Sequence, residues 1–431
     1  FRLYLNGRVF SALGGVLAVA ATYAAGRVLG GGFAGVAAAG IVAVSVPLVQ
    51  HAHYSTTSSI SAGFVALCLW ATLASVRRFR GWAFVLAGIA AGLAAGSRYN
   101  AAAVSLVVFF GGWFLLYRER TVRRAGGVLA GCLLFPLMFV FTTPHVIFDT
   151  VFFIEEFQFI TNQYIGDEVS PFNVSPWLGL QYELRYLAIY GIGVPGAVAA
   201  VVGIFMVWRD RQRLLMTALL LAYIVPYGYV VLRTIRPLGA DQMLVPIVPA
   251  VALLAALGAD WFRRWVPGPV VWAVLVVPIW VYSLGVVSLF ARPDTRYDVQ
   301  AWAWEHLPPA SHVHLYGPYN VPLDETRYTV TRTFGTGEVV MPDELRALGA
   351  DYVIVSDAWL QNFQRAAFIP PDFVAAVLAP LEALAADAPT LYQVSRPHVL
   401  GDGDPLHSAT YWHQPGLTVY CLTDAACRAV R

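Results

Sequence analysis

Long apolar runs separated by short polar breaks fill the first 290 residues of the chain. A helix crossing the hydrocarbon core needs about 20 predominantly apolar residues. On that ruler the pattern predicts ten membrane helices, at 9–29, 33–49, 60–76, 82–97, 101–117, 125–143, 184–207, 214–233, 243–262 and 269–290. The run at 82–97 is short and Gly-rich, and Pro136, Pro195 and Pro226 fall inside runs, where membrane helices tolerate proline. From residue 291 the pattern changes. Alternating stretches such as "HVHLYG" (312–317) and "DYVIVSDA" (351–358) predict strands, "DVQAWAWEHL" (298–307) predicts a helix, and prolines punctuate the connections. The expected organisation is a membrane domain over 1–290 and a soluble α/β domain over 291–431.

Composition agrees: 58% of the 431 residues are hydrophobic and 13% charged, against about 25% charged in soluble domains. The net charge of +2 excludes little, and every one of the 28 basic residues is Arg. Their placement is more informative. Alternate breaks hold Arg27; Arg77, Arg78 and Arg80; Arg118, Arg120, Arg123 and Arg124; Arg209, Arg211 and Arg213; and Arg263 and Arg264, thirteen in all. The opposite breaks hold six: Arg2, Arg8, Arg98, Arg185, Arg233 and Arg236. The positive-inside rule makes the first side cytoplasmic. The other side then carries "HAHYSTTSS" (51–59), "GSRYN" (96–100), a forty-residue loop (144–183), "RTIRPLGADQ" (233–242) and the whole tail.

That outer face is where chemistry is expected. Arg98 stands at a helix end before Tyr99 and Asn100, and its planar fork suits a phosphate. The same placement also fits a snorkelling arginine with an interfacial tyrosine. His51 and His53, at i, i+2, suit a strand or an irregular turn better than one helix face, and either contact a substrate or bond nearby backbone. Ser58 and Ser59 fit as caps of the span beginning at Ile60. The outer loop interleaves aromatics with Asp149, Glu155, Glu156, Asp167, Glu168 and Glu183, as a membrane-hugging amphipathic helix does. Any of these acids fits either a general base or a solvated face. Arg236 repeats the phosphate-or-snorkel choice. Cys421 and Cys427 would face an oxidising compartment, which permits a disulfide without requiring one. No metal-ligand spacing, P-loop, GxGxxG, GxSxG or nucleic-acid motif occurs, so no metal or nucleotide cofactor is expected.

The order "SVPLVQHAHYSTTS", a span, an Arg-rich break and "GIAAGLAAGSRYNA" resembles the GT-C superfold of glycosyltransferases, and within it the dolichyl-phosphate-mannose protein mannosyltransferase-like group. "GADQMLVPIVPAVALLAA" (239–256) is similar to that group's late Arg-Tyr-Leu-x-Pro-x-x-Pro segment, and "DTRYDVQAWAWEHLPPASHV" (294–313) to the start of its soluble tail. The resemblance implies an all-α polytopic membrane protein of GT-C type with a C-terminal extracytoplasmic α/β domain, in the plasma membrane of a prokaryote. It implies sugar transfer from a polyprenyl-phosphate donor to a protein, lipid or glycan acceptor on the outer face. By position, Arg98 would hold the donor phosphate, Tyr99 and Asn100 would shape its pocket, and His51, His53 and Tyr54 would line the cavity. The group's first-loop acid, its general base, has no counterpart here, because the chain reads as beginning after that loop, upstream of Phe1. Two positions depart from the pattern: Ser58 stands where an Asp is usual, and Gln242 where the late Arg is, with Arg236 six residues earlier as a substitute. Two further readings are a catalytically inactive relative serving as a scaffold, and a transporter of lipid-linked sugars.

Overall fold

The computed structural model describes residues 2–118, 121–165, 176–207, 210–234, 241–317, 320–333, 341–356, 371–395 and 415–430. The chain divides into two compact units, one of residues 1–169 and 175–284, the other of 170–174 and 285–431.

The first unit is helical: α1 (Arg2–Gly30), α2 (Gly32–Val44), α3 (Val46–His53), α4 (Ser58–Arg77), α5 (Gly81–Ser97), α6 (Ser105–Arg118), α7 (Val122–Thr142), α8 (His145–Phe148), α9 (Thr150–Ile165), α10 (Pro176–Tyr186), α11 (Val194–Met206), α12 (Arg211–Thr234), α13 (Asp241–Leu244) and α14 (Val248–Phe262). Helix α15 (Gly268–Phe290) runs on past its boundary. Among the described residues seven helices are long and apolar enough to cross a membrane, or nine if two bent pairs each count once, with Gly81–Ser97 as a shorter apolar helix. The protein is an integral membrane protein. Helix α7 shows the lipid-facing logic: Leu129, Leu133, Leu137 and Phe141, four residues apart, are all exposed and form an outward stripe that water would penalise.

Apolar contact alone cannot bring helices together in lipid, so close backbone approach does much of that work. A Cβ on Gly88 of α5 would lie 1.9 Å from the Gly131 carbonyl oxygen of α7, and one on Gly258 of α14 would lie 1.9 Å from the Ala199 carbonyl oxygen of α11. Glycine at both positions lets these pairs touch backbone to backbone.

The spans expected at 33–49 and 184–207 are not straight. The first breaks at Ser45 with a 55° bend. Pro47 has no N–H for the Ala43 carbonyl and its ring crowds the preceding turn, so the chain starts a new helix. The second turns by 111° between a π-helical turn, Leu187–Gly191, and α11. Gly193 (φ 73°) makes that corner and Pro195 opens the next helix. The loop expected over 144–183 is also largely helical, as α8, α9 and most of α10.

The second unit holds α16 (Thr295–His306), β1 (His312–Tyr316), β2 (Thr329–Thr333), α17 (Pro342–Ala347), β3 (Tyr352–Ser356), α18 (Pro371–Asp387), β4 (Thr390–Val394), β5 (Leu417–Cys421) and α19 (Asp424–Val430). The sheet order is β2-β1-β3-β5-β4, with β1 parallel to β2 and β3, and β5 antiparallel to β3 and β4. Val313, Leu315, Tyr352, Ile354 and Val419 form a core with Val299 and Ala303 of α16 and with Leu307 just after it. The alternate positions of β1 carry His312 and His314, which bond the Thr331 and Thr333 hydroxyls of β2. Burial, reinforced by neighbouring His312, pushes His314 down to about 4. Cys421 and Cys427 form a disulfide, their Cα atoms 5.4 Å apart. It staples the end of β5 to α19.

Candidate functional site

Helix α5 ends where Arg98 adopts an extended backbone, and a 3-10 turn, Tyr99–Val104, leads into α6. This break lets Arg98 and Asn100 turn into the bundle. The Arg98 Nη1 donates to the Ser58 hydroxyl at 2.5 Å, and its Nη2 lies 3.2 Å from the Met243 Sδ. Asn100 Nδ2 donates to the Tyr227 Oη at 3.1 Å and lies 3.7 Å from the same sulfur. The Tyr227 hydroxyl donates to the Met243 carbonyl, and Tyr223, its ring 5.2 Å from that of Tyr227, donates to the Pro246 carbonyl at 3.1 Å. Four segments far apart in sequence thus meet at one guanidinium. No described carboxylate pairs with Arg98; its partners are a neutral hydroxyl and a thioether. A half-buried cation whose described partners are all neutral has the chemistry to take up an anion.

The polar stretch 51–59 is more enclosed than a wet loop. His51 and Tyr54 are buried, and Ser58 and Ser59 have no exposed surface. His51 and His53 both lie in the last turn of α3, a helix where a turn or strand was expected. Two residues apart on a helix, they point different ways. His51 faces inward, its Nδ1 3.2 Å from the Thr56 hydroxyl and its ring edge-on to Tyr54. His53 faces outward, its Nδ1 2.7 Å from the Val49 carbonyl. Ser58 and Ser59 are not caps. Helix α4 already begins at Ser58 after Thr57, Ser59 donates to the Ser11 carbonyl at 2.8 Å, and Ser58 serves Arg98.

His53 also borders an apolar groove of about 660 Å³ between α1, α2 and α3, lined by Val9, Ala12, Val16, Leu48 and Val49, with Arg8 beside it. Arg8 was counted in the sequence only as one of the outer arginines. Its place on the same groove as His53 depends on how α1 meets α3, which no local pattern encodes. Tyr99 does not join the Arg98 cluster. It stays partly exposed, with Phe139, Phe153 and Phe157 about its ring at 5.9–6.1 Å. Arg236 lies outside the described residues. Gln242 is next to Met243, the residue that contacts Arg98. Among the described residues no three His, Cys, Asp or Glu side chains cluster as metal ligands would.

Residues 4–148 match one family model, dolichyl-phosphate-mannose-protein mannosyltransferase. The resemblance seen in the sequence holds over that segment, which contains His51, His53, Tyr54, Ser58, Arg98, Tyr99 and Asn100. Among solved structures the chain is similar to ArnT from Cupriavidus metallidurans in the apo state, at 17% identity and a TM-score of 0.48, covering 97% of this chain and 84% of that one. The same enzyme bound to undecaprenyl phosphate matches with a TM-score of 0.45, again at 17% identity and over 97% and 84% of the two chains. An Archaeoglobus fulgidus oligosaccharyltransferase in complex with Zn and sulfate matches at 13% identity with a TM-score of 0.47, over 86% of this chain. The present chain spans 59% of that protein's length. No curated protein sequence matches.

Proposed function

We propose that the protein is a GT-C-type glycosyltransferase that takes a sugar from a polyprenyl-phosphate donor and passes it to an acceptor on the extracytoplasmic face. The observation that carries this reading is Arg98, a cation at a helix break with no described counter-charge, inside the segment that matches the mannosyltransferase family. A lipid phosphate sits at the membrane interface with its prenyl chain in the bilayer. Arg98 supplies a planar donor pair for the phosphate, Asn100 and Tyr227 wall it, and the groove beside His53 and Arg8 suits an isoprenoid chain. A phosphate-linked sugar is already activated, so such a transfer needs no nucleotide.

Ser58 fits this reading better than the departure at its position suggested. An Asp bonded to Arg98 would neutralise it, whereas the Ser58 hydroxyl orients the guanidinium and leaves its charge available to a ligand. The arginine asymmetry of the breaks supports an outward-facing site, and the Cys421–Cys427 disulfide supports an oxidising compartment for the α/β unit. The test is binding of a polyprenyl phosphate and of the matching polyprenyl alcohol to the full chain in lipid nanodiscs. Preference for the phosphate supports the reading; equal binding of the two contradicts it.

A further inference from the structure

We propose that Glu183 is a specificity determinant of this site, its carboxyl group hydrogen-bonding hydroxyls of the donor's sugar. The inference rests on the polyprenyl-phosphate-sugar reading above and adds the residue that reads the sugar. Glu183 is 5% exposed, and its Oε1 is buried without a hydrogen-bond partner. No described cation forms an ion pair with it. A buried carboxyl oxygen in that condition is costly, and a hydroxyl-bearing ligand relieves the cost by hydrogen-bonding to it.

Its position ties it to the Arg98 cluster. Helix α10 packs against α12, which carries Tyr227, and the π-helical turn that follows packs against α3, which carries His51 and His53. Helix α12 brings to the cluster the Tyr227 hydroxyl, which bonds Asn100 and the carbonyl of Met243, itself a partner of Arg98. The π-helical turn begins four residues after Glu183, and such turns recur at functional sites. A phosphate is drawn to the Arg98 cation, which leaves the neutral polyol end of the donor to the Glu183 carboxyl group, a hydrogen-bonding partner for hydroxyls.

The experiment measures equilibrium binding to the full chain in nanodiscs, using bare polyprenyl phosphate and its mannosyl, glucosyl and arabinosyl derivatives. Wild type is expected to bind one sugar-bearing lipid about tenfold more tightly than the bare phosphate, the scale of one buried hydrogen bond. Glu183→Gln and Glu183→Ala are expected to bind the bare phosphate as wild type does and to lose that increment. Retention of the increment by both variants overturns the proposal, as does the absence of any increment in wild type. Loss of bare-phosphate binding by both variants assigns Glu183 a structural role and also overturns it. Failure of the bare phosphate to bind wild type defeats the underlying reading instead, so the two failures are distinct.

Discussion

Two arginine centres share helix α12 and behave in opposite ways. Near the start of α12, Arg213 pairs with Asp260 at 3.3 Å, and Arg263 pairs with the same carboxylate at 2.9 Å. Near the end of α12, Tyr227 stands beside Arg98, which has Ser58 and Met243 as partners and no described carboxylate. Positions 213 and 227 are separated by about 21 Å along a helix rising 1.5 Å per residue. The first centre is compensated from within, by an acid that is itself buried, and reads as structural. The second has no described carboxylate bonded to its guanidinium. Arginine content does not separate the two; an acid bonded to the guanidinium does.

The largest effect is expected from making the second centre resemble the first. Ser58→Asp places a carboxylate against the Arg98 guanidinium and should weaken polyprenyl-phosphate binding about tenfold to a hundredfold, the value of a charge-assisted contact. Unchanged binding in a titration of this variant would remove Arg98 from the site. The reverse change, Asp260→Asn, leaves Arg213 and Arg263 without their anion. Their side chains are 35% and 48% exposed, so solvent absorbs part of the loss, and stability should fall by roughly 1–3 kcal/mol. Denaturation in detergent would measure it, while lipid-phosphate binding at equal folded fraction should not move.

Tyr227→Phe removes the hydroxyl that accepts from Asn100 and donates to the Met243 carbonyl. A cost of about 1 kcal/mol, or roughly a fivefold loss of phosphate binding as the pocket wall loosens, is expected; full wild-type affinity would show that the wall does not hold Arg98. The smallest effect belongs to Met243→Leu, a volume-conserving change. It exchanges a weak sulfur acceptor for a methyl group and should change affinity less than about twofold to threefold. A large loss there would mean that the sulfur contact, rather than the cation, carries the binding.

The apolar runs made the membrane helices readable from the sequence, because length and hydropathy are local properties. The places where that reading failed are equally physical. Pro47 and the Gly193–Pro195 pair sit inside runs that hydropathy scores as continuous, yet each ends a helix. His51 and His53 were expected in a strand or irregular turn, because alternation was weighed and the helix-opening effect of Pro47 was not. The neighbours of Arg98 were beyond local reading: Tyr227 lies 127 residues from Asn100, and Met243 lies 145 from Arg98. Only the packing of α12 and of the segment before α14 brings them in. Glu183 was visible as one of six acids on an apparent loop. Its burial on a helix sets it apart, and that depends on which face α10 turns toward α12. Within 291–431 the strand at 351–358 and the helix at 298–307 were legible from alternation and composition, whereas the sheet order, which mixes parallel and antiparallel neighbours, was not.

The most direct test of the central contrast titrates one polyprenyl phosphate against wild type, Arg98→Ala and Arg213→Ala, at low and high salt. The account predicts that Arg98→Ala loses most of the binding and most of its salt dependence, while Arg213→Ala binds as wild type does once its folded fraction is matched. Equal binding by wild type and Arg98→Ala, or equal losses in the two variants, would contradict it.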